Sequence, residues 1–350
     1  MGIFCYFIVP DQTPYSNQMS LPISMQKPGF TTEVLYIKKK NPFDPASFFQ
    51  QLIAGNPPAY SFIPLQRWHF EKDEIVFEEF TGDPSISSIE QRMKLRDLVG
   101  LSPVIPLDKL QQTIKQDYLK SKTFRLGTDR YGRDLLSRMI VASRVSLSVG
   151  FIAVIISLVI GIFLGSLAGF FRGWVDQLIM WLINVVWSIP TLLLVIAITL
   201  ALGKGFTQVF IAVGLTMWVE VARLVRGQIF SLREMQYVEA GRALGFTNMR
   251  IINKHILPNV MGPVIVIAAS NFASAILLEA GLSFLGMGAQ PPTPSWGMMI
   301  KENYGYIVAD AAYLALLPGV AIALMVLSFT LLGNGLRDAF DTKLSLSMTA

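Results

Sequence analysis

Four stretches of this chain, Val145 to Phe171, Gln177 to Gly203, Val260 to Leu278 and Ala311 to Leu336, contain no Asp, Glu, Lys or Arg. A helix needs about 20 largely apolar residues to cross the hydrocarbon core of a bilayer, and each run meets or nearly meets that length. Lipid offers no partner for a backbone N–H or C=O, so isolated runs of this kind are predicted to be helices. The shorter run from Gly205 to Val219 becomes a fifth span if Glu220 lies at its polar boundary. Gly161, Gly165, Pro190, Gly214, Pro318 and Gly319 fall inside these runs, where membrane helices tolerate close packing and kinks.

With 52% hydrophobic and 15% charged residues among 350, the chain is too apolar for an ordinary soluble domain. Residues 11–138 hold 17 of the 29 Lys and Arg and 15 of the 24 Asp and Glu, which separates a water-exposed N-terminal region from a membrane domain at 139–341. The net charge of +5 reflects orientation across the bilayer rather than nucleic-acid binding. Cys5 is the only cysteine, so an intrachain disulfide and a Cys-rich metal site are both excluded. His69 and His255 have no ligand spacing and are assigned surface or packing roles. No metal or cofactor is expected.

The chain opens on an apolar stretch that ends before Pro10, less than half the length of a span and without a basic n-region. Residues 1–10 are read as the tail of a first transmembrane helix that begins upstream, with a buried or interfacial strand as the alternative. Residues 11–138 then emerge outside. Lys and Arg counts agree with that orientation, because short cytoplasmic loops carry the excess. Arg172, the segment from Arg223 to Lys254, and Arg337 with Lys343 in the C-terminal region (tail 342–350) place nine such residues inside, against Lys204 and Lys301 outside.

Within the outer region, Thr31 to Ile37 and Trp68 to Phe80 read as strands, and Leu107 to Leu119 as a helix with Leu110, Ile114 and Tyr118 on one face. A small α+β insertion is expected, without a catalytic constellation. Its last stretch, Gly127-Thr-Asp-Arg-Tyr-Gly-Arg-Asp-Leu-Leu-Ser-Arg138, puts Asp129 opposite Arg133 and Arg130 opposite Asp134 if it is an interfacial helix leading into the membrane.

Between the third and fourth of the five spans lies a basic segment, 223–259. Glu234 to Leu244 is predicted to be a short helix, stopped by Gly245 at positive φ. Thr247 or Asn248 caps a second helix that runs to about Ile256, where Pro258 limits continuation. Two short helices at an angle make a knob that a grooved partner could grip. A DNA-binding helix-turn-helix has a similar outline, but the second helix here would be pinned against anionic lipid headgroups.

Glu239-Ala240-Gly241, Gly245 and Leu257-Pro258 reproduce a pattern of Glu-Ala-Ala, three residues, Gly, then Leu-Pro, with Gly241 in place of the second Ala. This resembles the ATPase-coupling loop of binding-protein-dependent ABC importer permeases. Gly127 to Asp134, Glu279 to Gly286, Gln290 to Gly297 and Gly333 to Asp338, where Asn334 replaces a common Asp, resemble the C-type dipeptide and oligopeptide permeases over residues 124–341. The resemblance implies an all-α, type I ABC importer permease fold with five full spans plus a truncated first span, in a bacterial inner membrane. It also implies a homologous permease partner, two cytoplasmic ABC ATPases and an extracytoplasmic peptide-binding protein. The chain has no Gly-x-x-x-x-Gly-Lys-[Ser/Thr] loop, so it is expected to be no enzyme itself and to borrow ATP hydrolysis. Nickel or another small solute is the alternative cargo. A secondary transporter fits less well, since Glu220 and Glu279 are read near span ends rather than mid-span.

Overall fold

The computed structural model describes residues 4–39, 47–82, 88–99, 106–203 and 205–340, so the tail 342–350, with Lys343, and Lys204 lie outside the described residues. Two compact units are present: Met1–Arg144 with Pro291–Pro294 and Glu302–Leu316, and Val145–Gln290 with Ser295–Lys301 and Leu317–Ala350.

The first unit is α+β. It contains helices α1 (Cys5–Ile8), α2 (Phe48–Ala54), α3 (Leu95–Val99) and α4 (Leu107–Thr113), and strands β1 (Phe30–Lys38), β2 (Tyr60–Glu71), β3 (Glu74–Glu79), β4 (Glu90–Lys94) and β5 (Leu119–Phe124). The strands form one antiparallel sheet in the order β4-β3-β2-β1-β5. The stretch read as one strand, Trp68 to Phe80, is a hairpin whose turn begins at Lys72 with φ of 52°. The helix expected to reach Leu119 ends sooner, because a wide π turn over Ile114–Tyr118 hands the chain to β5. Leu110 and Ile114 still face inward, packing with Leu35, Phe77, Leu95 and Leu98, as the helical spacing required.

Residues 127–134 are a correction: they form no helix. Gly127 and Gly132 take φ of 78° and 68°, and Thr128 pairs with Asp134 in an isolated bridge. A side chain at Gly132 would put its Cβ 1.8 Å from the Ser20 carbonyl oxygen, and one at Gly127 would stand 2.2 Å from that of Gln26. The loop is thus laid against residues 20–28 too closely for any other residue. Asp129 and Arg133 do pair, at 2.6 Å and fully buried, but through a turn in which Asp129 Oδ1 also accepts the backbone N–H of Tyr131 and Arg133. Arg133 continues to Glu302 at 3.1 Å and Asn17 at 3.0 Å. Arg130 does not meet Asp134; it lies against Tyr131, while Asp134 accepts from Ser137. Burial, partly opposed by the bonds from Ser137, holds the Asp134 carboxyl above the ordinary carboxylate range.

The second unit is helical. Helix α5 (Leu135–Phe171), which begins in the first unit, is followed by α6 (Gly173–Trp187), α7 (Thr191–Leu202), α8 (Phe206–Leu232), α9 (Gln236–Ala243), α10 (Asn248–Arg250), α11 (Leu257–Phe284), α12 (Trp296–Asn303), whose end belongs to the first unit, and α13 (Tyr313–Phe340), whose start does. Among the described residues four helices are long and apolar enough to cross a membrane: Leu135–Phe171, Phe206–Leu232, Asn248–Phe284 and Tyr313–Phe340. The run read as one span from Gln177 to Gly203 is instead the pair α6 and α7, bent by 91°. Pro190 has no N–H to donate and disfavours the helical region for the residue before it, which favours a break at this point, and Pro190 stands as the N-cap of α7. By length and composition, the bent pair would count as a fifth candidate span among the described residues only if it is taken as one. The third span does not stop at Val219 but runs on to Leu232.

Helix α5 approaches α8 along Gly161, Gly165 and Gly169. A Cβ at these positions would lie 2.9, 2.5 and 2.8 Å from the carbonyl oxygens of Trp218, Ala222 and Arg226. Small residues permit this approach, which in lipid replaces the hydrophobic drive that holds soluble helices together.

Removing one partner of a buried ion network leaves the others unpaired, at a cost of about 3–5 kcal/mol. Asp129→Ala strips Arg133 and Arg138 of a shared carboxylate. We expect a clearly lowered melting temperature for the purified variant in detergent and earlier proteolysis within residues 11–138; wild-type melting would contradict the network's role.

Candidate functional site

The knob between α8 and α11 is built from an apolar inner face and a polar outer one. Val238 of α9 and Ile251, Ile252 and Ile256 beyond it are buried against Phe170, Val221, Val225, Ile229, Val260 and Val264. Outward stand Glu239, Ala240 and Gly245, with Tyr237, Leu244 and Met249 exposed beside them. Among the described residues Glu239 has no hydrogen-bond or ion-pair partner in this face. It sits in the first turn of α9, where the helix dipole favours a negative charge.

The turn out of α9 follows from its glycines. Phe246 N–H donates to the Gly241 carbonyl at 3.0 Å and Gly245 N–H to that of Arg242 at 2.9 Å, the paired bonds of a Schellman motif. Gly245 takes φ of 78°, with open space around the position of its missing side chain, so conformation rather than crowding requires glycine. Gly241 is different: it is buried, and a Cβ there would stand 3.3 Å from Phe246. The departure from alanine at this position lets the turn close tightly.

Thr247, not Asn248, caps the second helix, its hydroxyl accepting the Arg250 N–H at 3.4 Å. That helix does not end at Ile256. It passes through a π turn over Ile251–Ile256 directly into α11, and Pro258 lies at the start of α11. Proline lacks a donor and crowds the carbonyl four residues back; the wider π turn accommodates both and keeps the rod continuous. Leu257 packs on the inner cluster and belongs to the anchorage, while Pro258 beside it is exposed at the start of α11. His255 stacks on Phe246, ring centroids 5.6 Å apart, and Arg250 lies 4.0 Å above the same ring.

Two ion pairs that the sequence reading missed brace the knob's base. Arg226 binds Asp176 through two bonds of 2.5 and 2.7 Å, and Arg172 binds Glu234 at 2.6 Å. Burial, and then the neighbouring Arg172 and Arg242, hold Arg233 below its ordinary range.

The motifs at 279–286 and 290–297 meet at one carboxylate. Glu279, 1% exposed, accepts from Ser283 at 2.6 Å and Ser146 at 3.1 Å, and also from Ser295. Gly288 and Gly297 leave no room for a side chain beside Ser283 and Ala280. Glu220, read at a span boundary, lies near the midpoint of α8, and that expectation is corrected. Among the described residues no cluster of three or more His, Cys, Asp or Glu is placed to hold a metal.

A β-branched residue at positive φ strains the backbone by about 1–3 kcal/mol. We therefore expect Gly245→Val to unseat α9 while the membrane helices remain folded. Faster proteolysis confined to residues 236–250, with an unchanged helical circular-dichroism signal, checks this.

Residues 161–346 match the model of the family described as binding-protein-dependent transport system inner membrane component. The chain is 42% identical over 219 residues, 63% of its length and 72% of the relative's, to the glutathione transport system permease protein GsiD of Pectobacterium atrosepticum. It is 43% identical over 218 residues (62% and 71%) to the dipeptide transport system permease protein DppC of Alkalihalophilus pseudofirmus. It is 45% identical over 221 residues (63% and 73%) to the di/tripeptide transport system permease protein DppC of Pseudomonas aeruginosa. Among solved structures, an inward-facing MetNI methionine ABC transporter aligns with 59% of this chain and 95% of its own, at a TM-score of 0.48 and 22% identity. The match over more than half its length, the apolar helices and the extent of the relatives converge: this chain belongs to the family of inner membrane components of binding-protein-dependent transport systems, and is a multi-pass membrane protein.

Proposed function

We propose that the chain is the permease subunit of an ATP-driven importer for di- or oligopeptides, with a type I importer fold. The observation that carries this is the identity of 42–45%, over some 220 residues, to permeases named for dipeptides, di/tripeptides and glutathione. The chain works beside a homologous permease, two cytoplasmic ABC ATPases and an extracytoplasmic peptide-binding protein. It has no phosphate loop of its own; closure of the ATPases supplies the work.

In this reading the outer face of α9 is the ATPase contact. Exposed Tyr237, Leu244 and Met249 offer apolar anchors, and Glu239 offers an unpaired charge to a basic groove. Ala240 keeps the face low so that the groove can close on it, and the buried Gly241 lets the turn behind that face close. Gly245, Leu257 and Pro258 hold the knob at its angle. Residues 11–138 stand outside the cytoplasm and 223–259 within it, in line with the distribution of Arg and Lys.

Glu239→Lys reverses the charge in the proposed contact. A buried interfacial charge pair that loses one partner costs about 2–5 kcal/mol, at least tenfold in affinity, so we expect ATPase co-purification and peptide uptake to fall together. Wild-type values for both would refute the contact. Topology has its own check: cysteines introduced at Asn248 and Gln290 should react with a membrane-impermeant maleimide from opposite sides, and same-sided labelling would invert the orientation.

A further inference from the structure

Helix α8 carries a carboxylate midway along its length, and that carboxylate faces a cavity. Glu220 shares a space of about 320 Å³ with Trp187 at the end of α6, Thr191 at the start of α7, Thr216 on α8, and Ser274 and Leu277 on α11. The cavity therefore opens where Pro190 breaks the α6–α7 rod and bends it by 91°. A volume near 300 Å³ is the lower range of small-molecule sites, enough for a few residues of extended peptide.

Among the described residues Glu220 makes no hydrogen bond and no ion pair. The next charged side chain along α8, Arg223, does not pair with it: it donates to Asn184 Oδ1 at 3.3 Å and lies 3.7 Å over the ring of Trp187, itself a lining residue. The Thr216 hydroxyl donates to its own helix at 2.8 Å and keeps its lone pairs for another donor. The carboxylate, the hydroxyl oxygens and the C-terminal end of α6 are all sites that attract a cation. An unpaired carboxylate in the middle of an apolar helix is costly, and such groups persist where they meet a partner or a transported ligand.

We infer that Glu220 receives the protonated amino terminus of a peptide in transit, in a site formed by the broken α6–α7 rod and the middle of α8. The inference rests on the peptide reading above. Every unmodified peptide presents an α-ammonium, protonated at neutral pH because its ordinary pKa is about 8, so one carboxylate serves cargo of any sequence. Leu277 and the rim of Trp187 supply apolar surface for the first side chain.

The test uses the whole complex in proteoliposomes, with radiolabelled dialanine and trialanine delivered by the binding protein. Uptake and binding-protein-stimulated ATP hydrolysis are measured for wild type, Glu220→Gln and Glu220→Asp. Expected is a fall in uptake of about tenfold for Glu220→Gln, substantial recovery for the charge-preserving Glu220→Asp, and stimulated hydrolysis within about twofold of wild type in both. Wild-type uptake by Glu220→Gln overturns the inference and leaves the peptide reading standing. It is overturned too if Glu220→Asp fails as badly as Glu220→Gln, or if uptake, ATP hydrolysis and permease pairing are lost together, since Glu220 is then structural. A wild-type complex that moves neither peptide overturns the peptide reading, and this inference with it.

Discussion

The second unit depends on how closely α5 comes to α8. Lipid tails are as apolar as leucine, so helices in a bilayer gain little from merely hiding hydrophobic surface from one another; they associate by contact. Three glycines one turn apart let the α5 backbone settle onto α8, with Val221, Val225 and Ile229 packed into the space the missing side chains leave. The same three α8 residues form the floor on which Val238, Ile251, Ile252 and Ile256 rest. One helix-helix approach therefore sets both the packing of the long helices and the seat of the knob. A methyl group at Gly165 would act on both at once.

The first unit is organised by buried polarity. Asp129, Arg133, Arg138 and Glu302 are all nearly inaccessible, and each charge faces an opposite one. Such networks contribute little net stability over an apolar core, since desolvation offsets most of the attraction, but they tolerate few alternative arrangements. Thr128 adds to this by donating to the Ile23 carbonyl and accepting from the Gln26 N–H. The whole motif acts as a template on which residues 17–28 are laid. Nearby, burial lowers the Lys122 ammonium below its usual range; the side chain lies 4.2 Å over Phe62.

Much of this was legible in the residues. Charge-free runs located the long helices, because the requirement for internal backbone bonding in lipid is severe. Gly245 announced its own turn, since only glycine takes that φ cheaply. Periodicity put Leu110 and Ile114 inward. Proline was harder to read: Pro190 broke a rod by a right angle where a kink was expected, whereas Pro258 was absorbed by a π turn where an ending was expected. Pro263 and Pro318 sit inside continuous helices as well, so a proline's effect is set by its surroundings, which no local pattern reports. The pairing of Asp129 with Arg133 was found for the wrong reason, because positions four apart meet in a glycine turn as readily as in a helix. Glu220 was misplaced because a single charge looks like a boundary, and only the continuation of α8 to Leu232 puts it mid-helix. The bond between Glu279 and Ser295 joins residues from two separate motifs, and nothing in either motif names the other.

The continuity of the second knob helix with α11 has a mechanical side. From Asn248 to Phe284 the chain is one rod of 37 residues, about 55 Å long at ~1.5 Å per residue. Its near end is gripped in the knob cluster, and Glu279 with its ring of serine hydroxyls lies close to its far end. Rods of this length amplify angles: a tilt of about 10° at one end carries the other through roughly 10 Å, about twice the strand spacing in a sheet. A hinge at Ile256, which the expected helix ending would have provided, would dissipate that sweep within a single turn. By taking up the proline in a widened turn, the chain keeps leverage over its full thickness.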